Sequence, residues 1–287
     1  MAAPSRLAID LSSNSVRVVE GAIGGPMRCG SAALVNGATR EGKITDAAGV
    51  GRTLKALLAR TEITQTRAMV AVGDAMGTFR VLRIPPSATR KEVDAAIARE
   101  LPFDPARTAT RWFDLPTAPD TKLVYAVAWE RALLKNVVEA VRQAGVEPTV
   151  VELKSASIAR AAPTEACIVI DLCSAPADLI LVDRHLARVW HSVLVPEPLG
   201  KEAAATLARA ARSMLRFYRR LPDAEFGELA PLFVSSDQVL PADTLAELGS
   251  LVSQPVHALP APARVPGEVR HSTYLACLGL LMRRASV

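Results

Sequence analysis

The sequence predicts an α/β protein built from two related half-domains that face one another across a cleft, with a small α/β unit inserted in the first. Three observations carry this. The stretch IDLSSNSVRVVE, beginning at Ile9, returns as IDLCSAPADLIL, beginning at Ile170, at a constant offset of 161. Asp10 thus falls on Asp171, Leu11 on Leu172 and Ser13 on Ser174. Each copy reads as a strand, a tight polar turn and a second strand. Between the copies, from Thr78 to about Leu153, the texture changes to short strands and helices, as an inserted unit would read. A chain of 287 residues, half of them apolar, fits two domains or one divided domain.

In chain order, Leu7 to Leu11 and Val16 to Glu20 are the strands of the first hairpin, with Ser12 to Ser15 turning between them. Val50, Leu54, Leu57 and Leu58 share one face of a helix near residues 46–60. AMVAV, residues 68–72, is a short buried strand closed by Gly73 and Asp74. Within the inserted stretch, TFRVLRIP is a strand and KEVDAAIAREL a helix with Val93, Ala96, Ile97 and Leu101 turned inward, stopped by Pro102. KLVYAVAW is a strand, residues 131–144 a helix, and PTVVEL a further strand. After the second hairpin, Gly200 leads into a long helix from Lys201 to about Arg220, whose Leu207, Ala211, Met214, Tyr218 and Leu221 step by 4, 3, 4 and 3. PLFVS is a strand, ADTLAELGSLVS a helix and QPVHAL a short strand. The proline-rich LPAPARVPG is an exposed connection to a last helix, HSTYLACLGLLMRR. The expected division is residues 1–77 for the first half, 78–153 for the inserted unit, 154–165 for a linking helix that completes the first half, and 166–287 for the second half.

Composition excludes several classes. With a net charge of +5 and only three Trp, three Tyr and six Phe, the chain lacks the basic, aromatic-rich surface of a nucleic-acid binder. Cys29, Cys167, Cys173 and Cys277 contain no C-x-x-C pair, so neither a zinc site nor a disulfide framework is expected. The start lacks the apolar run of a signal peptide, and no stretch approaches the roughly 20 apolar residues of a spanning helix. A cytoplasmic protein is expected. His185 and His191 flank Trp190, while His257 and His271 are isolated, and none has the spacing of a metal ligand set or a catalytic triad. Arg209, Arg212, Arg216, Arg219 and Arg220 form a stripe on the long helix away from Leu207 and Met214. A solvated helix face is the plain reading; contact with anionic lipid headgroups or an acidic partner is the functional one.

Paired hairpins, each with a closing acid, resemble the actin-like ATPase fold. The inserted stretch narrows the resemblance. IPPSATRKEVDAAIARELPFD, with Glu100, Pro102 and Phe103, resembles the type IV pilus assembly protein PilM family, as do VVEAVRQAGVEPTVVELKSASIARA, RSMLRFYRR and CLGLLMR. The cell-division protein FtsA, which shares the inserted subdomain, is a more distant likeness. The resemblance implies two RNase H-like half-domains, ATP and Mg²⁺ in the central cleft, and docking of the cytoplasmic tail of a bitopic, PilN-like inner-membrane pilus protein near the inserted unit. It also implies further pilus assembly partners and a peripheral place at the inner membrane through them; self-association is left open.

The residues that this resemblance assigns to the nucleotide are Asp10, Ser12, Ser13 and Asn14 in the first turn, Asp171 and Ser174 in the second, and Ser235 and Ser236 at the adenosine side. Three departures weaken that site. Leu11-Ser12 stands where the family has Ile-Gly, which adds a Cβ where phosphate would approach. In the second turn Cys173 replaces the glycine, Pro176 removes a backbone donor, and Ala177 replaces a hydroxyl-bearing residue. FVSSDQ replaces the glycine-rich adenosine turn and brings Asp237 with it. Gly200 leads almost directly into the long helix, so the lobe that closes over the base is largely missing. Asp10 and Asp171 remain, either to hold a hydrated Mg²⁺ or to cap their turns. The expectation is a scaffold without ATP turnover, with no catalytic residue and no cofactor. The alternatives are an ATP- and Mg²⁺-binding protein or slow ATPase, and a cytoplasmic component of type II secretion.

Overall fold

The computed structural model describes residues 4–101, 104, 106–115, 122–221, 224, 227 and 230–283. The chain opens with an antiparallel meander of β1 (Arg6–Leu11), β2 (Ser15–Gly21) and β3 (Met27–Ala33). Residues 7–11 and 16–21 are all buried, which explains why both strands read as near-continuous apolar runs. A two-stranded ribbon, β4 (Thr39–Arg40) and β5 (Lys43–Ile44), leads to α1 (Ala47–Arg60), whose start is capped by the Asp46 carboxylate accepting from the Gly49 N–H at 2.9 Å. β6 (Arg67–Val72) then returns parallel to β1.

After a 3₁₀ turn at Asp74–Met76 come β7 (Gly77–Ile84), α2 (Arg90–Glu100), β8 (Thr108–Leu115) and β9 (Lys122–Glu130). The three strands form their own antiparallel sheet in the order β7-β9-β8. α2 begins with a capping box between Thr89 and Glu92 and lays Val93 and Ile97 against Leu82 and Val124. α3 (Arg131–Gln143), β10 (Glu147–Leu153) and α4 (Lys154–Ala161) follow. The remainder runs β11 (Ala166–Asp171), β12 (Ala177–Asp183), β13 (Leu186–Val193), α5 (Lys201–Tyr218), β14 (Leu232–Ser235), α6 (Ala242–Leu251), β15 (Val256–Ala258) and α7 (Leu275–Leu281).

The two five-stranded sheets share one plan. Their orders are β3-β2-β1-β6-β10 and β13-β12-β11-β14-β15: an antiparallel meander of three strands, then two parallel strands. The short recurrence in sequence is therefore a recurrence of architecture. Even the register repeats, with Asp10 opposite Arg17 in one hairpin and Asp171 opposite Asp178 in the other.

Packing redraws the division expected from sequence. β10 pairs with β6 in the first sheet, and α3 packs on α1, so the inserted sheet accounts for β7 to β9 and α2 but not for the chain up to Leu153. α4 does not complete the first half. Its Ile158, Ala159 and Ala162 pack with Cys167, Val169, Ile180 and Val182 of the second sheet. α7 crosses back instead, setting Cys277, Leu278 and Leu281 against Ala8, Val19, Met69 and Ala71 of the first sheet. The two halves thus exchange helices, a fact of contact that no local pattern encodes.

Smaller differences have local causes. β3 (MRCGSAA) and β8 (TATRWFDL) were not expected, because half-exposed edge strands carry no apolar run. α7 is shorter than the expected 271–284, and α5 ends at Tyr218 rather than Arg220. Pro102 and Phe103 of the sequence motif lie outside the described residues. Among the described residues no helix is long and apolar enough to cross a membrane.

Candidate functional site

Both sequence-assigned acids stand at strand ends facing the cleft between the sheets, and both are buried. Each turns one oxygen back to its own loop: Asp10 Oδ1 accepts from the Ser12 N–H at 2.9 Å, and Asp171 Oδ1 from the Cys173 N–H at 3.1 Å. The other oxygen of each meets a cation of the protein itself.

Arg17, on β2 and directly opposite Asp10, is buried and reaches Asp10 Oδ2 at 3.3 Å and the Ser13 hydroxyl at 3.1 Å. Its other terminal nitrogen crosses the cleft and donates to the Cys173 carbonyl at 2.7 Å. One guanidinium therefore ties the first hairpin to the second. Burial alone would lower its pKa; the Asp10 and Asp171 charges outweigh that and raise it.

The second hairpin has the opposite problem. Asp171 faces Asp178, and like charges directly opposite are destabilising. Lys154, the first residue of α4, resolves it. Its Nζ lies 2.7 Å from Asp171 Oδ2, 2.8 Å from Asp178 Oδ2 and 3.3 Å from the Ser174 hydroxyl, in a position only 2% exposed. Burial pushes the ammonium pKa down, but Asp171 and Asp178 override it and hold the group charged. In return, burial would raise Asp171, and Lys154 with the Cys173 N–H holds it below the usual carboxylate range. Asp178 also accepts from Trp190 Nε1 at 3.0 Å. Beside this cluster Asp74 is fully enclosed and accepts from Ser155 through both backbone N–H and hydroxyl; burial raises its carboxyl to about 7.

The remaining sequence-assigned residues divide. Ser12 keeps a buried hydroxyl with no hydrogen-bond partner among the described residues, and Ser13 shares its hydroxyl with Ser15 and Arg17. Asn14 points away, its Oδ1 accepting from Thr39 at 2.9 Å. Ser235 is buried beside the Cys173 thiol at 3.9 Å, and the Ser236 hydroxyl accepts from the Gln238 N–H at 3.1 Å. Between the second turn and the 194–199 and 236–241 segments lies a cleft of about 480 Å³. It is walled by Cys173, Pro176, Leu194, Glu197, Asp237 and Val239 among others, and among the described residues no Lys or Arg lines it. Sequence reasoning missed Arg17 and Lys154. The signal for Arg17 was a lone cation inside an apolar strand seven residues after the acid; Lys154 had none, because only the fold brings α4 under the second hairpin. Among the described residues no group of three or more His, Cys, Asp or Glu could hold a metal ion.

A second concavity, about 560 Å³, opens where the inserted sheet meets both large sheets. Trp112 and Phe113 of β8, Tyr125 and Trp129 of β9, and Val150 and Leu153 of β10 line it. Phe113 is 48% exposed, and its ring stacks on Tyr125 at 5.3 Å, while the Tyr125 hydroxyl donates to the Ala187 carbonyl at 3.0 Å. Trp129 Nε1 is buried without a hydrogen-bond partner among the described residues. β8 and β10 both stand at the ends of their sheets.

No family model and no curated protein matches this sequence. Solved structures do. The chain is similar to a chain of a PilM–PilN type IV pilus biogenesis complex, with a TM-score of 0.74 and 18% identity over 96% of this chain and 97% of that one. It is also similar to the cytoplasmic domain of EpsL, an inner-membrane component of the type II secretion system of Vibrio cholerae, with a TM-score of 0.57 and 13% identity over 98% and 97%. A protein of actin-like ATPase fold and unknown function from Bacteroides thetaiotaomicron matches with a TM-score of 0.50 and 11% identity over 95% and 96%. The chain has the actin-like ATPase fold.

Proposed function

We propose that the protein is a cytoplasmic scaffold of a pilus-type or related secretion machine, which docks the cytoplasmic tail of an inner-membrane partner and does not turn over ATP. The observation that carries the second part is the pairing of Asp10 with Arg17 and of Asp171 with Lys154. A magnesium nucleotide needs those carboxylates free for hydrated metal and needs cations or N–H groups aimed at phosphate. Here the acids are engaged by internal cations, Pro176 removes one N–H from the second turn, and Glu197 and Asp237 line the neighbouring cleft, to which no Lys or Arg among the described residues contributes. These residues do not fit the group. The orphan Ser12 hydroxyl is the one feature that favours a residual nucleotide site.

Calorimetric titration with ATP and Mg²⁺ tests this. No saturable heat is expected up to millimolar nucleotide. Micromolar binding abolished by Asp10→Ala would sink the scaffold reading and favour an ATP-binding protein.

The likeness to a PilM–PilN complex and to the EpsL cytoplasmic domain supports tail docking, and the aromatic groove offers a place for it. An extended segment there meets two sheet-edge strands, an exposed Phe113 and an indole N–H awaiting an acceptor. A PilN-type tail peptide is expected to bind, and Phe113→Glu to weaken it at least about tenfold, as loss of a central aromatic anchor does. Fluorescence anisotropy reads the affinity. Equal affinities for the two proteins would move the docking site off this groove.

A further inference from the structure

The arginine stripe of α5 lines neither the cleft beside the second turn nor the aromatic groove. In the structure Arg209, Arg212, Arg216, Arg219 and Arg220 are all exposed, and among the described residues none of the five is ion-paired. The stripe runs over about three helical turns, or roughly 16 Å. Its partners are not all solvent. Arg212 donates to the Leu251 carbonyl, which pins it against the end of α6. Arg212, Arg216 and Arg219 then form one wall of a hollow of about 320 Å³, with Ser253 and Gln254 on the other. At the edge of the same face Phe217 is 51% exposed, one of only five large apolar side chains so exposed among the described residues.

A C-terminal helix dipole favours cations in the last turn, which accounts for Arg216 and Arg219 but not for Arg209, nor for a half-exposed phenylalanine beside them. A stripe of exposed guanidinium groups with an apolar ring beside it matches the surface of an anionic bilayer: phosphates meet the arginines and the ring enters the headgroup boundary. An acidic peptide would need an apolar trough or a free strand edge for its backbone, and only Leu215 contributes apolar surface to the hollow.

We propose that this face of α5, with the 253–254 segment, binds the anionic phospholipid headgroups of a bilayer directly. The inference does not rest on the tail-docking reading and adds to it a contact made by the chain's own surface.

Co-sedimentation of the full chain with vesicles of phosphatidylcholine alone, or with phosphatidylglycerol added, tests it. Binding is expected only with the anionic lipid and is expected to weaken with salt. Each arginine near the surface contributes roughly fivefold in partitioning, so R216Q/R219Q is expected to lose about 25-fold. R52Q/R90Q removes the same net charge from exposed positions on α1 and α2 and is expected to change little. Phe217→Ser is expected to reduce binding at high salt, where the apolar contact remains. All replaced residues are exposed, so unchanged melting temperatures verify that the variants fold. Equal loss in the two double variants overturns the proposal in favour of unspecific charge attraction. So does binding to neutral vesicles, or stabilisation by inorganic phosphate or poly-glutamate with none by vesicles.

Discussion

Lys154→Met is expected to destabilise the protein by about 3–5 kcal/mol at neutral pH, the range for removing one partner of a buried ion pair. For a chain of this size the melting temperature should fall by roughly 10 °C. Methionine fills nearly the same volume, so the loss reports charge rather than packing. It leaves Asp171 and Asp178 facing one another in register, each without the ammonium that now lies 2.7 and 2.8 Å away. The pH dependence gives the mechanism. In the native protein the Asp171 pKa is held down, so its pairing stabilises the fold above the ordinary carboxylate pKa and is lost as pH falls. In the variant the charge that chiefly opposes burial at Asp171 is gone, only the Cys173 N–H still holds that carboxyl down, and its pKa rises, so the stability its pairing supplied above the carboxylate range is missing. The deficit of the variant should therefore shrink towards pH 4 and grow towards pH 8, as followed by denaturant unfolding. Asp171→Asn in the same chain should restore part of the loss by removing the like-charge pair. A deficit under about 1 kcal/mol at pH 7.5 would show that Lys154 is not what holds the second hairpin's acids together.

Gly279→Ala carries the other large effect, with a sign opposite to that of an ordinary helix. In an open helix this change stabilises by about 1 kcal/mol. At Gly279 a Cβ would stand 1.9 Å from the Ser157 carbonyl oxygen and 2.5 Å from its carbon, both backbone atoms that cannot swing away. This is the crossing of α4 and α7, the two exchanged helices, and Arg160 further ties it by donating to the Gly279 carbonyl at 2.7 Å. Relief requires the helices to part by more than 1 Å, and with them the sheets that Arg17 bridges. A loss of roughly 3 kcal/mol or more is expected, at or beyond the upper end for an overpacked core. Gly249→Ala in α6 is the control, since its Cβ would meet Val256 at an ordinary 4.0 Å. It should raise stability slightly. If both changes raise the melting temperature, the helix crossing is looser than described.

Much of the architecture was legible because hydrophobic period is a local signal. Val50, Leu54 and Leu57 on α1, or Leu207, Ala211 and Met214 on α5, announce their helices regardless of what they cover. The doubled IDL motif pointed to two equivalent sheets, and their strand orders agree. β3 and β8 escaped because an edge strand with one open face has neither a run nor a clean alternation. The candidate site was half legible. Asp10 and Asp171 were identifiable from their repeat, but the cations that occupy them were not, because Lys154 is 17 residues from Asp171 and reaches it only through the placement of α4.

Periodicities, turns and the loss of loop glycines are properties of residues within a few positions of one another, and the chain alone announces them. Which helix covers which sheet, and which charge answers which acid, was decided only in three dimensions. Helix exchange depends on total buried area across the cleft, and the Arg17 contact to Cys173 spans 156 residues. No local rule selects among such long-range partners. Burial does, because each charge taken out of water requires a countercharge within hydrogen-bond reach, and the fold is the arrangement that supplies both.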